Sequence, residues 1–185
     1  GIFGMTESTD INKRSKPLTA TNDRALLIGI LCAPLAFTLI GVGLIICAGF
    51  VPPPSPTATG DQIRELFMNH QFGIITGGVL MAIGAGGPFL AFICTISAVI
   101  RRTEPGLPVF TYVQMFGGAF AAIVTMFSGM VWVTLGFRPD RDPGSMLLFN
   151  DFAWLLVLST FSFGVIQNLA IGFAILGDDS PTPVF

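Results

Sequence analysis

Residues 111–137 read TYVQMFGGAFAAIVTMFSGMVWVTLGF, a run without a single Asp, Glu, Lys, Arg or His. About 20 predominantly apolar residues are what a helix needs to cross a hydrocarbon core roughly 30 Å thick. Three other stretches share this character, at 25–50, 72–100 and 151–176. None of them holds a Lys or Arg, and their one acid is Asp151. Lipid offers no water to satisfy backbone groups, so a spanning segment must be a helix or part of a closed barrel. These runs are too long for barrel strands and lack their period-two alternation. The fold class is therefore an all-α membrane protein, with four transmembrane helices in a bundle.

The whole composition agrees. Charged residues make up 11% of the 185 positions, against roughly 25% in a soluble domain. Apolar residues make up 52%, with 18 Phe for one Tyr and two Trp. Such hydrophobicity excludes intrinsic disorder. Three Cys are too few for a secreted disulfide scaffold, and a net charge of −2 without a basic block argues against nucleic-acid binding.

The chain divides into a flexible polar tail (1–24), a four-helix domain (25–176) and a short carboxy-terminal tail (177–185). Met5 reads as the natural initiator, with Gly1-Ile2-Phe3-Gly4 an added leader. The first apolar run exceeds the ~7–15 residues of a signal-peptide core, so it is expected to persist in the mature protein. Cys47 follows Ile45-Ile46 and lacks the small neighbour of a lipoprotein cleavage site. Basic residues in short loops set orientation. The tail and second loop hold six (Lys13, Arg14, Lys16, Arg24, Arg101, Arg102), and the other two loops hold three (Arg64, Arg138, Arg141). That bias predicts a multi-pass protein of a bacterial inner membrane with both termini cytoplasmic.

In the first outer loop, Pro52-Pro53-Pro54-Ser55-Pro56 predicts a stiff extended spacer. Asp61–His70 follows as a short amphipathic helix, with Ile63, Leu66, Phe67 and His70 on one face. A bend near Gly73 would lay that helix on the outer interface.

Helices in lipid associate through small residues and a few hydrogen bonds. The third carries Gly117, Ala121, Thr125 and Gly129 at spacings of four. The fourth carries Thr160, Gly164, Asn168 and Gly172, the second Gly78, Ala82 and Gly86, and the first Ala25, Gly29 and Ala33. These stripes predict packing faces, while Phe110, Phe116, Phe120, Phe127, Phe161, Phe163 and Phe173 point elsewhere, to lipid or a partner. Pro34 and Pro88 are expected to kink their helices, and Gly84–Gly87 to loosen the second.

Six residues stand out as candidates for ligand or partner contact. Asp151 is the one acid near the hydrocarbon, where a carboxylate suggests function. The competing structural reading makes Asn150 the N-cap and Asp151 the first helical residue, favoured by the helix dipole. Trp154 would sit close by in the interfacial belt. Gln167 and Asn168 put two amides in hydrocarbon, suited to interhelical hydrogen bonds or to lining a polar cavity together with Thr160. Gln114 is expected at the interface. The lone His70, near Met68, falls short of a metal-ligand set, and Met126 and Met130 suit packing. Cys32 and Cys94 fall at similar depth, with no disulfide expected in a reducing compartment. Gly84-Ala85-Gly86-Gly87 has no following Lys-Ser/Thr to make it a phosphate loop. No catalytic set is evident, and no cofactor or metal is expected.

Several segments together have a family character: Arg101-Arg102 with Pro108-Val109, Phe137-Arg138-Pro139-Asp140-Arg141-Asp142-Pro143, and Asn150-Asp151-Phe152-Ala153-Trp154-Leu155-Leu156. Gln167-Asn168-Leu169-Ala170-Ile171-Gly172, Ala174-Ile175-Leu176 and Pro183-Val184-Phe185 complete the pattern. Over residues 95–185 it resembles a family of uncharacterised bacterial inner-membrane proteins of actinobacteria and proteobacteria. The resemblance implies a helical membrane protein and supplies no activity or cofactor. Members of that family continue with further helices beyond the counterpart of Phe185. The expectation is then a truncated chain or a shorter variant, and truncation would leave one bundle face without its cover.

The expected function is non-enzymatic: binding of a hydrophobic partner, whether membrane lipid, a lipophilic small molecule, another membrane-protein subunit or a second copy in a homo-oligomer. The alternatives are a permease or channel for a small neutral solute, lined by Thr160, Gln167 and Asn168, and a membrane enzyme using Asp151 and Asn150.

Overall fold

Every stretch that is apolar enough to span a membrane is helical. The computed structural model describes residues 20–104 and 106–178. The basic tail residues Lys13, Arg14 and Lys16, and the 183–185 end of the family pattern, lie outside them. Four long apolar helices cover Asp23–Cys47, Gln71–Ile100, Val109–Phe137 and Pro143–Leu176. Among the described residues there is no strand. The protein is an all-α, multi-pass membrane bundle.

Helix α1 (Ala20–Gly41) runs through Pro34 and widens into a π-helical turn at Val42–Cys47. Gly49 then adopts φ 66°, a left-handed conformation that suits glycine, and turns the chain back. Phe50 follows, its N–H donating to the Leu44 carbonyl at 3.0 Å, its ring wholly buried.

Helix α2 (Gly60–Asn69) is the short amphipathic helix expected in the first loop. Thr59 caps it: its hydroxyl accepts from Gln62 N, and the Gln62 side chain accepts from Thr59 N at 2.9 Å. Ile63 and Phe67 are buried, Leu66 is half-buried and His70 is exposed. The apolar face thus packs into the end of the bundle, largely against the fourth span. The break comes at His70 (φ −121°, ψ 24°), three residues before the expected Gly73. Gly73 has another task, since a side chain there would run into the Cys47 carbonyl of the first span.

The second span comprises α3 (Gln71–Gly84), a π-helical segment at Ala85–Phe89, and α4 (Leu90–Ile100). Pro88 sits inside the widened segment. Its ring would collide with a carbonyl of the preceding turn in a regular α-helix, and the wider turn relieves that. The loosening expected around Gly84–Gly87 is therefore where the structure has it. In the first span the departure from α geometry falls a turn or two after Pro34.

Helix α5 (Val109–Phe137) is the central element, packed on α3 and α4 on one side and along the whole of α6 (Pro143–Leu176) on the other. Helix α1 packs only on the second span, and α1 and α6 do not touch. The spans thus form an open row, α1, α3–α4, α5, α6, with a gap between its two ends.

Two readings of α6 need correction. Its N-cap is Asp142, whose carboxylate accepts from Ser145 N at 2.9 Å, with Pro143 at the first helical position. Asn150 and Asp151 are therefore two turns inside the helix, not at its start. The sequence reading began the span at the continuous apolar run from 151, whereas Asp142-Pro143 is itself a strong start signal. The second correction concerns the expected packing stripes. Gly117 and Gly129 do pack, against Phe163 of α6 and Gly78 of α3 respectively, with Ala121 buried and Thr125 half-buried between them. Gly164 and Gly172 do not, since an added Cβ at either meets nothing within 4 Å. The buried side of α6 is instead Met146, Asn150, Ala153, Gln167, Ala170 and Ala174. The phenylalanines set aside from the stripes are exposed as expected, apart from the half-buried Phe163.

Candidate functional site

The six candidate residues separate into two places along α6. From Asn150 to Gln167 is 17 residues, or about 25 Å at 1.5 Å per residue.

At the end near the first loop, three aromatic rings meet. Phe50 lies 4.7 Å from Trp132 and 5.9 Å from Trp154, and the two indoles pack edge-on at 5.2 Å. Trp132 is buried, and its Nε1 donates to Asn150 Oδ1 at 3.3 Å. Ser128 donates to the Ala153 carbonyl at 2.8 Å. Asn150 is thus an interhelical anchor between α5 and α6. Asp151 is exposed and makes no hydrogen bond or ion pair among the described residues. A cavity of about 570 Å³ lies over this cluster, bounded by Pro53, Ser55, Ile63, Asn150, Asp151 and Trp154. Trp154 Nε1 is buried without an acceptor among the described residues. The proline spacer is therefore one wall of a cavity, which its composition did not indicate.

The second place is the gap between the ends of the row. A lateral groove of about 500 Å³ runs there, walled by Phe37 and Ile40 of α1, Phe89 and Phe92 of the second span, Thr125 of α5 and Gly164 of α6. Thr160, Gln167 and Asn168 are all on its α6 wall, so the three amide and hydroxyl candidates do come together. Their chemistry differs. The Thr160 hydroxyl donates to Val157 O at 2.6 Å, and Asn168 Nδ2 to Gly164 O at 2.9 Å, both within α6. Gln167 is 8% exposed and makes no hydrogen bond among the described residues. Its side chain lies against α5, where an added Cβ on Gly118 would be 3.1 Å from its Cδ. Its amide lines the groove, where its donors and acceptor are available to a bound molecule.

One polar expectation needs correction, and one polar feature carried no expectation. Gln114, read as interfacial, is fully buried between α4 and α5, and its Oε1 accepts from Ser97 at 2.6 Å. Glu104, in the loop before α5, accepts from Phe110 N and Thr111 N at 2.9 Å and from the Thr111 hydroxyl at 2.6 Å. Slight burial raises its pKa. The bonds from Thr111 and Phe110 and the nearby Arg101 charge outweigh that, leaving the carboxyl below the ordinary 4.5. It supplies the acceptors that the first turn of α5 lacks, because Pro108 in the cap position has no side-chain acceptor. The signal in the sequence was an acid a few residues ahead of a long apolar helix.

Cys32, Cys47 and Cys94 are free. Among the described residues no three His, Cys, Asp or Glu side chains gather into a ligand set. Compared with known proteins, the chain matches no family model, no curated protein and no solved structure.

Proposed function

We propose that this is a non-enzymatic integral membrane protein that holds a hydrophobic partner in the lateral groove between α1 and α6. One observation carries the reading. The groove is lined by rings and aliphatic side chains, yet its α6 wall offers an open glycine and an amide with no partner among the described residues. Ligand pockets of this kind, apolar with a few placed polar groups, run to about 300–1,000 Å³. The location we infer is a bacterial inner membrane with both termini cytoplasmic, resting on the six-to-three basic bias. The resemblance over 95–185 supports the same setting. The candidate partners are membrane lipid, a lipophilic small molecule or another membrane-protein subunit.

The permease reading draws on the gathering of Thr160, Gln167 and Asn168. It is weaker, because the Thr160 hydroxyl hydrogen and one Asn168 amide hydrogen are already donated within α6. For use of Asp151 in catalysis, its cavity offers Ser55 and Asn150 but no His, Lys, Cys or second acid among the described residues.

The test is co-purification in mild detergent with mass spectrometry of what remains bound. Wild type should retain a hydrophobic species near one per protein. Gly164→Phe should lose it, because the added Cβ has open space on the groove wall and the ring takes up room the partner needs. Retention by Gly164→Phe would overturn the reading.

A further inference from the structure

We infer that the groove's ligand is a lipophile with a flat, uncharged, carbonyl-bearing ring and one slender tail, its ring oxygen bound by the Gln167 amide. The inference rests on the groove reading above and narrows it by shape, depth and charge.

Shape comes first. Along α6 the groove extends from Val157 to Ile171, 14 residues or about 21 Å. The groove holds about 500 Å³ spread over that length, a long and narrow space that suits a single slender chain lying along α6.

Depth is next. An added Cβ on Gly118 would lie 2.8 Å from Ile93 and 3.1 Å from Gln167 Cδ, so Ile93 and Gln167 share a level in the bundle. From Ile93 to Arg101 is eight residues, or about 12 Å. Gln167 is therefore well below the paired arginines Arg101 and Arg102, which mark the polar edge. A phospholipid keeps its phosphate and ester groups near that edge. The group that meets Gln167 must belong to a molecule whose whole head enters the hydrocarbon.

Charge and surface complete the argument. Among the described residues no Lys, Arg, His, Asp or Glu lines the groove, so an ionised head would be buried without a counter-charge from them. Phe92 adjoins Ile93 and so stands at the level of Gln167. Its ring is stacked with Phe89 at 6.5 Å, and Phe89 meets Phe37 edge-on at 5.6 Å. These rings form a wall against which a flat head can lie, with the amide N–H free to donate to a ring carbonyl. The tail then follows the groove past Thr125 and Ile40.

The experiment uses the full chain in nanodiscs, with empty nanodiscs as the blank, and two radiolabelled probes of matched tail: a decyl-substituted benzoquinone and decylbenzene. Wild type should bind the quinone about tenfold more tightly than decylbenzene, the worth of one good hydrogen bond in an apolar site. Gln167→Leu should remove that preference and leave decylbenzene unchanged. Phe92→Leu should weaken the quinone alone, and carries the comparison if Gln167→Leu does not fold. Gly164→Phe should abolish binding of both. Equal affinity of wild type for the two probes, or a quinone preference surviving Gln167→Leu, would overturn this inference and leave the groove a general lipophile site. Failure of both probes to bind above the blank would overturn the inference together with the groove reading.

Discussion

Helices α3 and α5 cross in close contact at Gly78 and Gly129. A Cβ built on Gly129 would lie 2.6 Å from the Gly78 carbonyl oxygen, and one built on Gly78 would lie 2.5 Å from the Gly129 oxygen. The closeness is reciprocal and the obstacle on each side is backbone, which cannot rotate away. Gly129→Ala therefore has to push the two spans apart by about 0.8 Å to reach an ordinary contact of 3.4 Å. Overpacking of this kind costs typically ~1–3 kcal/mol. At roughly 2–4 °C per kcal/mol for a chain of this size, the melting temperature should fall by about 2–12 °C. Gly164→Ala is the control, since its Cβ meets nothing within 4 Å and Ala is the better helix former. It should melt at or slightly above wild type. The assay is thermal unfolding in one detergent, followed by circular dichroism and by accessibility of the free cysteines. Equal losses for Gly129→Ala and Gly164→Ala would refute the packing assignment and return Gly164 to a helix interface.

Three further outcomes follow from the hydrogen bonds and the loops. Asn150→Leu should cost about 1–3 kcal/mol by leaving the buried Trp132 indole unpaired, while Asp151→Asn, exposed and unpartnered, should melt with wild type; the reverse order would make Asp151 the anchor. Because the Glu104 carboxyl titrates below 4.5 in the folded protein, its contribution is complete above that pH and is lost as pH falls through the depressed value. The melting gap between wild type and Glu104→Gln should therefore close on going from pH 7 to pH 3, and a gap constant with pH would contradict the capping role. For topology, Ser55→Cys in a chain freed of its native cysteines should react with an impermeant maleimide in intact cells, and protection there with reaction after lysis would invert the orientation.

The four spans were legible because lipid allows so few solutions: length and lack of charge force a helix without regard to packing. Helix α2 was legible for the different reason that Ile63 and Phe67 recur at helical spacing among charges. Helix starts were harder. Asp142-Pro143 is a start signal, but hydropathy alone drew the boundary at the first continuous apolar run, eight residues late. The bend at His70 was hidden because glycine at position 73 serves a close approach to Cys47 rather than a turn. Gly49 is the reverse case, a glycine that turns the chain at a position where no turn was marked.

The α6 stripe shows where sequence reasoning about membrane helices runs out. Thr160, Gly164, Asn168 and Gly172 repeat the spacing of Gly117, Ala121, Thr125 and Gly129, and nothing local separates the two sets. The difference lies in what stands opposite. Gly117 and Gly129 face backbone of α6 and α3, whereas Gly164 faces a gap that exists because α1 packs on the second span and never reaches α6. A small residue is selected equally well by a helix pressed against it and by a ligand that needs room. The polar neighbour distinguishes these uses. Within the bundle Asn150 Oδ1 accepts from Trp132 and Gln114 Oε1 accepts from Ser97, each across a helix interface, while Gln114 Nε2 is buried with no partner among the described residues. Gln167 is as buried as a packing residue yet has no such partner, and it lies on the wall of the gap. In lipid, where stray water cannot make up the deficit, that combination of an open glycine and an unpaired amide marks a binding surface more firmly than either residue alone.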